Sequence, residues 1–274
     1  MVRIARQAGR PFLLVVLWSA WLLAHAQTPP PSQDTQPITY KVIHDHAIGQ
    51  GQGELRIIER GIAFKGEGKD EDRHSRTWRD EDIKRLAISR DNLRVTVYEA
   101  AHISLLPRKA PFTDGKSIRN GAEHNYLFRL REGEITPTVV AALLARFPRS
   151  IETSVLPDNT ASDPLLFAIP VFHRHRAGGH SGELRVYEHH VVFAAEDTSD
   201  MRFWRYTDIR DIGQLGRYQF ELATYEGQFG VDGKSYLFDL KRPLTEAEYE
   251  RLWTKVYEQG RRTGVRLTPK QPPQ

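Results

Sequence analysis

The sequence predicts a mainly β protein made of two tandem small β-barrel units, each closed by one C-terminal helix. Three observations carry this. The chain repeats itself, its repeated blocks alternate polar and apolar residues as strands do, and each copy ends in a capped amphipathic helix. The repeat is seen by laying the second half on the first. "GELRIIERGIAF" (53–64) matches "GELRVYEHHVVF" (182–193), and "WRDEDIKRL" (78–86) matches "WRYTDIRDI" (204–212). "LRVTVYE" (93–99) matches "YQFELATYE" (218–226) at its Tyr-Glu end, "NYLFRL" (125–130) matches "SYLFDL" (235–240), and "ITPTVVAALLARF" (135–147) runs parallel to "LTEAEYERLWTKV" (244–256). Five matches in the same order are an internal duplication. Two copies of about 100 residues suit two folded units, since a solenoid needs shorter and more numerous repeats.

The elements of one copy follow in order. "ITYKVIHDH" alternates Ile38, Tyr40 and Val42 with Thr39 and Lys41, the period of a half-buried strand. "AIGQGQG" is expected as a turn, "ELRIIER" and "GIAFKGE" as two strands around a tight bend at Arg60-Gly61, and "SRTWRDEDI" as a strand ending in an acid-rich turn. "NLRVTVYE" and "NYLFRL" are further strands. Thr136 is an N-cap with Pro137 at the first helical position, and Val139, Leu143 and Phe147 recur at helical spacing. The second copy ends alike: Thr245 with Glu248 forms a capping box, and Tyr249, Leu252, Trp253 and Val256 share one face.

A small curved sheet plugged by one helix is a two-layer solution to burial. The residues "GELRI…GIAF", the W-R-x-x-D-I blocks at 78–83 and 204–209, "YLF-x-L" and the closing helix together resemble the pleckstrin-homology-like (PH-like) fold, including bacterial PH and GRAM-type domains. Members that bind phosphoinositides carry basic residues around the first hairpin. Here "AIGQGQG" and "RAGGHSG" hold almost none, so the resemblance does not imply an inositol-lipid role.

The expected organisation is a signal peptide at 1–26, a Pro/Gln linker at 27–37 and a first unit at 38–151 with an insert at about 99–124. A linker at 152–165, a second unit at 166–262 and a disordered tail at 263–274 complete it. The leader reading rests on Arg3, Arg6 and Arg10 without an acid, an apolar run at 12–24 and Ala24-His25-Ala26 as a cleavage site. The run is short of the roughly 20 residues of a spanning helix, so no stable membrane anchor is expected after cleavage. The expected location is periplasmic or extracellular.

Removing a segment with three arginines and no acid takes the net charge from +4 to +1. That leaves no electrostatic footprint for nucleic acid. The chain has no cysteine, so thiol chemistry and cysteine-ligated metal are excluded.

Candidate sites are few. "GQGQGE" looks like the start of a dinucleotide fingerprint, but a strand pattern follows where that motif needs a helix, so a hairpin is expected. His44 and His46 lie two apart on a strand and point to one face, as do His173 and His175. Such pairs offer two ligands to a zinc or nickel ion. They equally continue the inward-facing apolar series as structural rings. His180 neighbours the second pair, and its counterpart is Gly51. Trp78 and Trp204 are expected in the cores, with Asp82 and Asp208 capping the next turn.

The insert holds Lys109, Lys116 and Arg119, candidates for contact with a partner or an anionic surface. No G-x-S-x-G, H-E-x-x-H or P-loop occurs. The expectation is a non-catalytic binding or scaffolding protein that binds an envelope protein or peptide, with no obligatory cofactor. A metal-binding protein or metal-assisted hydrolase built on the histidine pairs, with zinc as the cofactor, and a structural envelope protein are the alternatives.

Overall fold

The computed structural model describes residues 37–45, 50–68, 75–103, 118–175, 178–228 and 231–262. The expected signal peptide, nearly all of the first linker, and the tail lie outside the described residues, as do His46, Lys109 and Lys116.

The first half contributes β1 (Ile38–Asp45), β2 (Gln50–Ile58), β3 (Gly61–Gly66), β4 (Arg76–Arg79), β5 (Ile83–Ile88), β6 (Asn92–Ile103), β7 (Ile118–Leu130), the helix α1 (Pro137–Arg146) and β8 (Ile151–Thr153). The second half contributes β9 (Leu165–His175), β10 (Gly178–Tyr187), β11 (His190–Ala195), β12 (Arg202–Arg205), β13 (Ile209–Gly216), β14 (Gln219–Gln228), β15 (Val231–Leu240) and the helix α2 (Glu246–Arg262). The strand orders are β4-β3-β2-β1-β7-β6-β5-β8 and β12-β11-β10-β9-β15-β14-β13. Apart from the added β8, the two topologies are the same, as the duplication requires.

Neither sheet closes into a barrel. Each is an open sheet that folds over itself at a narrow joint: β1 pairs with β2 over eight residues but with β7 over only three. Trp78 of β4 and Tyr126 of β7 are four strands apart in the order, yet their rings lie 4.6 Å apart. Trp204 and Tyr236 repeat this at 4.8 Å. The tryptophans therefore clamp the two wings of each sheet together, both of them buried.

The expected caps are present. Thr136 accepts from the Val139 N–H, and Thr245 and Glu248 bond reciprocally. Leu252 and Val256 are fully buried, but Trp253 is on the exposed side of α2, against the Tyr257 ring at 4.5 Å. Asp82 and Asp208 each accept the backbone N–H three residues earlier, from Arg79 and Arg205.

Two further expectations are corrected. Gly51 and Gly53 of "GQGQG" and the glycines of "GGHSG" stand within β2 and β10 rather than in a turn. A Cβ on Gly53 would sit 2.2 Å from the Lys65 carbonyl oxygen, and one on Gly182 would sit 2.4 Å from that of Ala194, with a phenylalanine ring beside each. These glycines exist for close strand approach.

The segment 152–165, expected as a plain linker, carries the end of β8, a 3-10 turn (Asp158–Ser162) and buried Thr153, Val155 and Thr160. It packs because β8 adds a parallel edge to the first sheet. The insert, in turn, extends β6 and β7 as a paired ladder out to Ile103 opposite Ile118, with Arg119 opposite His102.

Gln36–Gln274 fall in one compact unit. Its junction is built from β11, "HVVFAA", whose two faces are both covered. Val191 and Phe193 enter the core of the second sheet, while Val192, with Tyr187 and Phe203, joins the core of the first. Arg205 locks the junction. Its Nη1 donates to the carbonyls of Leu144 and Phe147, and its Nη2 to that of Arg149, all at 2.8 Å. Its Nε and Nη2 also hold the buried Asp208 carboxylate at 2.9 and 2.8 Å. An arginine of the second half thus caps the helix of the first.

Candidate functional site

The histidine pairs occupy equivalent places in the two sheets but have different partners. His44 is buried among Phe64, Tyr126 and Phe128, with ring centroids 4.9–5.5 Å away. Its Nδ1 lies 3.2 Å from the Leu127 carbonyl oxygen. His173 is buried among the matching Phe193, Tyr236 and Phe238, at 5.1–5.4 Å. So both rings continue the inner face of the first strand of their sheet, as the parity of the sequence implies. Among the described residues, His44 and the His173–His175 pair do not share a site, because His44 belongs to the first core and the pair to the second.

What distinguishes the second copy is Asp200. Its Oδ2 lies 2.9 Å from His173 Nδ1 and 3.0 Å from His175 Nε2. The three donor atoms all fall within 4.8 Å of one another. Asp200 ends a 3-10 turn (Thr198–Asp200) that begins where the Asp197 side chain accepts the Ser199 N–H. That turn sits past β11, two strands from β9. It reaches the histidines where β10 opens with Gly178, Gly179 and Ser181, and there the Glu196 N–H bonds the Ser181 carbonyl.

The charge states suit ligation. Burial would raise the Asp200 carboxyl, but hydrogen bonds from His173 and His175 outweigh it and hold the group below the ordinary carboxylate range. Burial lowers His173, against the opposing pull of Asp200. A neutral His173 imidazole and an ionised Asp200 carboxylate are forms a metal takes up. At present each ring presents an N–H to the carboxylate. Moving that proton to the other ring nitrogen turns both lone pairs to the same point.

The site opens on one side only. His173 and Asp200 are 4% exposed in their side chains and His175 is 35% exposed. His180 stands at the mouth, its ring 5.5 Å from that of His175 and its Nδ1 3.8 Å from Asp197. On the closed side Arg202 Nη2 lies 3.5 Å from Asp200 Oδ1 and orients the carboxylate.

Behind Arg202 is a second buried polar group. Trp204 Nε1 donates to Glu226 Oε1 at 2.9 Å, and the Tyr236 hydroxyl bonds the other carboxyl oxygen. Burial, with the nearby Glu152 charge, pushes Glu226 up to about 8. The matching Trp78 Nε1 finds no hydrogen-bond partner among the described residues.

The sequence placed His173, His175 and His180 together. It did not point to Asp200, whose role depends on a turn crossing a strand. Glu226 had a signal, the Tyr-Glu end shared by both copies. Of the insert residues, Arg119 lies on β7, and Lys109 and Lys116 are outside the described residues. No helix among the described residues is long and apolar enough to cross a membrane.

No protein-family model matches the chain, and no curated protein matches it. Among solved structures the chain is similar to the C-terminal domain of an unknown protein from Leishmania infantum. That match has 13% identity over 36% of this chain and 89% of that one, with a TM-score of 0.29. It is also similar to the Spt16D–Pob3N heterodimer, at 10% identity over 73% of this chain and 94% of that one, with a TM-score of 0.28. Neither likeness reaches a level that bears on function.

Proposed function

We propose that this is an exported, non-catalytic binding protein of two tandem PH-like units whose second unit holds a divalent transition metal, zinc or nickel, on His173, His175 and Asp200. The observation that carries the metal reading is the convergence of two imidazole nitrogens and one carboxylate oxygen on a single point. Two nitrogens and an oxygen suit zinc, which prefers four ligands at about 2.0–2.2 Å. Opening the present 2.9 and 3.0 Å separations by a few tenths of an ångström makes room for the ion. His180, its ring 5.5 Å from that of His175, stands on the open side of the three donors. The PH-like reading is supported by seven strands in the order 4-3-2-1-7-6-5 followed by a helix, twice over.

Cobalt(II) titration of the full chain without a histidine tag tests the metal reading. A tetrahedral visible spectrum, absent in His173→Ala/His175→Ala, supports it. No spectrum in the native protein overturns it.

A second reading has its own observation. The β6–β7 ladder runs to Ile103 opposite Ile118, whereas the equivalent β14–β15 ladder ends at Gln228 opposite Val231. We assign partner contact to this arm and to the basic insert it carries, the partner being an envelope protein or peptide or an anionic surface. If a variant lacking 104–117 folds and still crosslinks the same envelope partner, the arm has no such role.

A further inference from the structure

We infer that His180 is the fourth protein ligand of the metal held by His173, His175 and Asp200, which makes the site a closed clasp of three nitrogens and one oxygen. The inference rests on the metal reading above and assigns the position that reading leaves open. Four such donors in a tetrahedral set suit zinc.

The register of the β9–β10 hairpin carries it. His180 pairs directly with His173, as Gly182 does with Val171 and Leu184 with Ile169. Directly opposite residues of an antiparallel pair put their side chains on the same face. Ile169, Val171 and Leu184 are buried in the core of the second sheet, so that face is the inner one. His180 therefore rises from the same face as His173 and, two residues further on, His175. Close approach at this end of the hairpin depends on Gly179, where a Cβ would sit 2.1 Å from the His173 carbonyl oxygen. In the first sheet the same register sets Gly51 opposite His44, so that copy has no side chain at this position. His44 also meets a backbone carbonyl where His173 meets Asp200. The second copy thus departs from the first at both places a metal needs beyond the histidine pair.

The surroundings of His180 fit a ligand. Its ring centroid is 5.5 Å from that of His175, and its Nδ1 faces Asp197 Oδ2 at 3.8 Å. A ligating histidine commonly gives its other N–H to a carboxylate, which fixes the ring. With Nδ1–H toward Asp197, Nε2 is the nitrogen left for the ion. Asp197 caps the 3-10 turn that Asp200 ends, so one turn supplies a ligand and the carboxylate behind another. Both side chains are half-exposed, so a rotation of the ring toward the three donors disturbs no core packing.

The assignment decides what the site does. Catalytic zinc sites keep three protein ligands and leave the fourth position to water, whereas structural sites use four. With His180 in place there is no position for an activated water. The ion fastens β9, the start of β10 and the turn at 198–200 to one another, the role of a staple in a binding protein and not of a hydrolase.

The test is cobalt(II) bound to the full tag-free chain and to His180→Ala, read by the visible spectrum with and without azide. Azide should leave the native tetrahedral spectrum unchanged. In His180→Ala azide should shift the spectrum and added imidazole should restore the native one. The zinc Kd of the variant should rise at least about tenfold, the smallest loss that removal of even an outer-shell partner brings. Its metal-free Tm should stay at the native value, because the residue is half-exposed. An azide-sensitive native spectrum, or a His180→Ala variant with the native spectrum, azide response and Kd, would overturn the inference. The metal reading itself would still stand if the spectrum is lost in His173→Ala/His175→Ala. A native chain that gives no cobalt spectrum overturns both.

Discussion

Nδ1 of His173 and Oδ2 of Asp200 stand 2.9 Å apart across the width of β10, although β10 and β11 separate them in the chain. The same oxygen reaches His175 at 3.0 Å. In the first half the equivalent ring, His44, has a backbone carbonyl at its Nδ1. One duplicated frame therefore carries a histidine bonded to a backbone carbonyl in one copy and two histidines converging on a carboxylate in the other.

Arg205→Leu should destabilise the protein by about 3 kcal/mol, because it strands the buried Asp208 and frees three carbonyls of the first helix. The added change Asp208→Asn should recover part of this loss by removing the unpaired charge. Urea denaturation of both variants measures it, and equal stabilities would show that the stranded carboxylate is not the cause.

Glu226 sets a pH dependence. Its folded-state carboxyl is raised from 4.5 to about 8, so the folded protein binds the extra proton between those values. Stability from this group is complete below about pH 4.5 and is lost as pH rises through about 8. Glu152, Tyr236, Lys234 and Arg202 face the group and share in the effect. Glu226→Gln keeps an acceptor for Trp204 and a donor for Tyr236 and has no proton to lose. Its Tm advantage over the native chain should grow with pH up to about 8 and then level off. A difference that stays flat with pH would refute the buried acid.

The Arg242–Glu248 pair acts in the opposite sense. Hydrogen bonding to Arg242 lowers Glu248 from 4.5 to about 2, with pairs at 2.7 and 2.8 Å. Its stabilisation is present above pH 4.5 and is lost as pH falls through about 2. Glu248→Gln should cost about 1 kcal/mol at neutral pH, the pair being partly solvated, and nothing once the native carboxyl is protonated. Thermal unfolding of the two chains from pH 7 to pH 2 reads this directly.

Gly53→Ala and Gly182→Ala should each cost about 1–3 kcal/mol, since the new methyl meets a cross-strand carbonyl oxygen at 2.2 or 2.4 Å. Gly216→Ala, with nothing within 4 Å, should stay within about 0.5 kcal/mol. A penalty at Gly216 equal to the other two would make the effect one of strand propensity rather than close approach.

The duplication, the strand periods and the helix caps made the mainly β frame legible from residues alone. The i, i+2 spacing of His173 and His175 likewise placed two rings on one face. Asp200 was not legible, because its approach depends on a turn lying over the glycine-rich start of a neighbouring strand. The junction had a signal of a different kind. "HVVFAA" lacks the polar outward position that Lys65 supplies in the matching "GIAFKG", and a strand apolar on both faces is covered on both. Arg205 and Arg79 occupy the same motif position, but only Arg205 has a preceding helix to cap, so the motif alone could not distinguish them. Barrel closure was an expectation from topology, and the short β1–β7 and β9–β15 joints give folded open sheets instead.

The most direct measurement is metal content by mass spectrometry on tag-free native protein and on Asp200→Asn, after equilibration with zinc and removal of the excess. The account predicts about one zinc per native chain and a clear loss in Asp200→Asn, with the fold of the variant intact. A native protein that retains no zinc, or an Asp200→Asn variant that retains as much, would contradict it and leave His173, His175 and Asp200 as a hydrogen-bonded core triad.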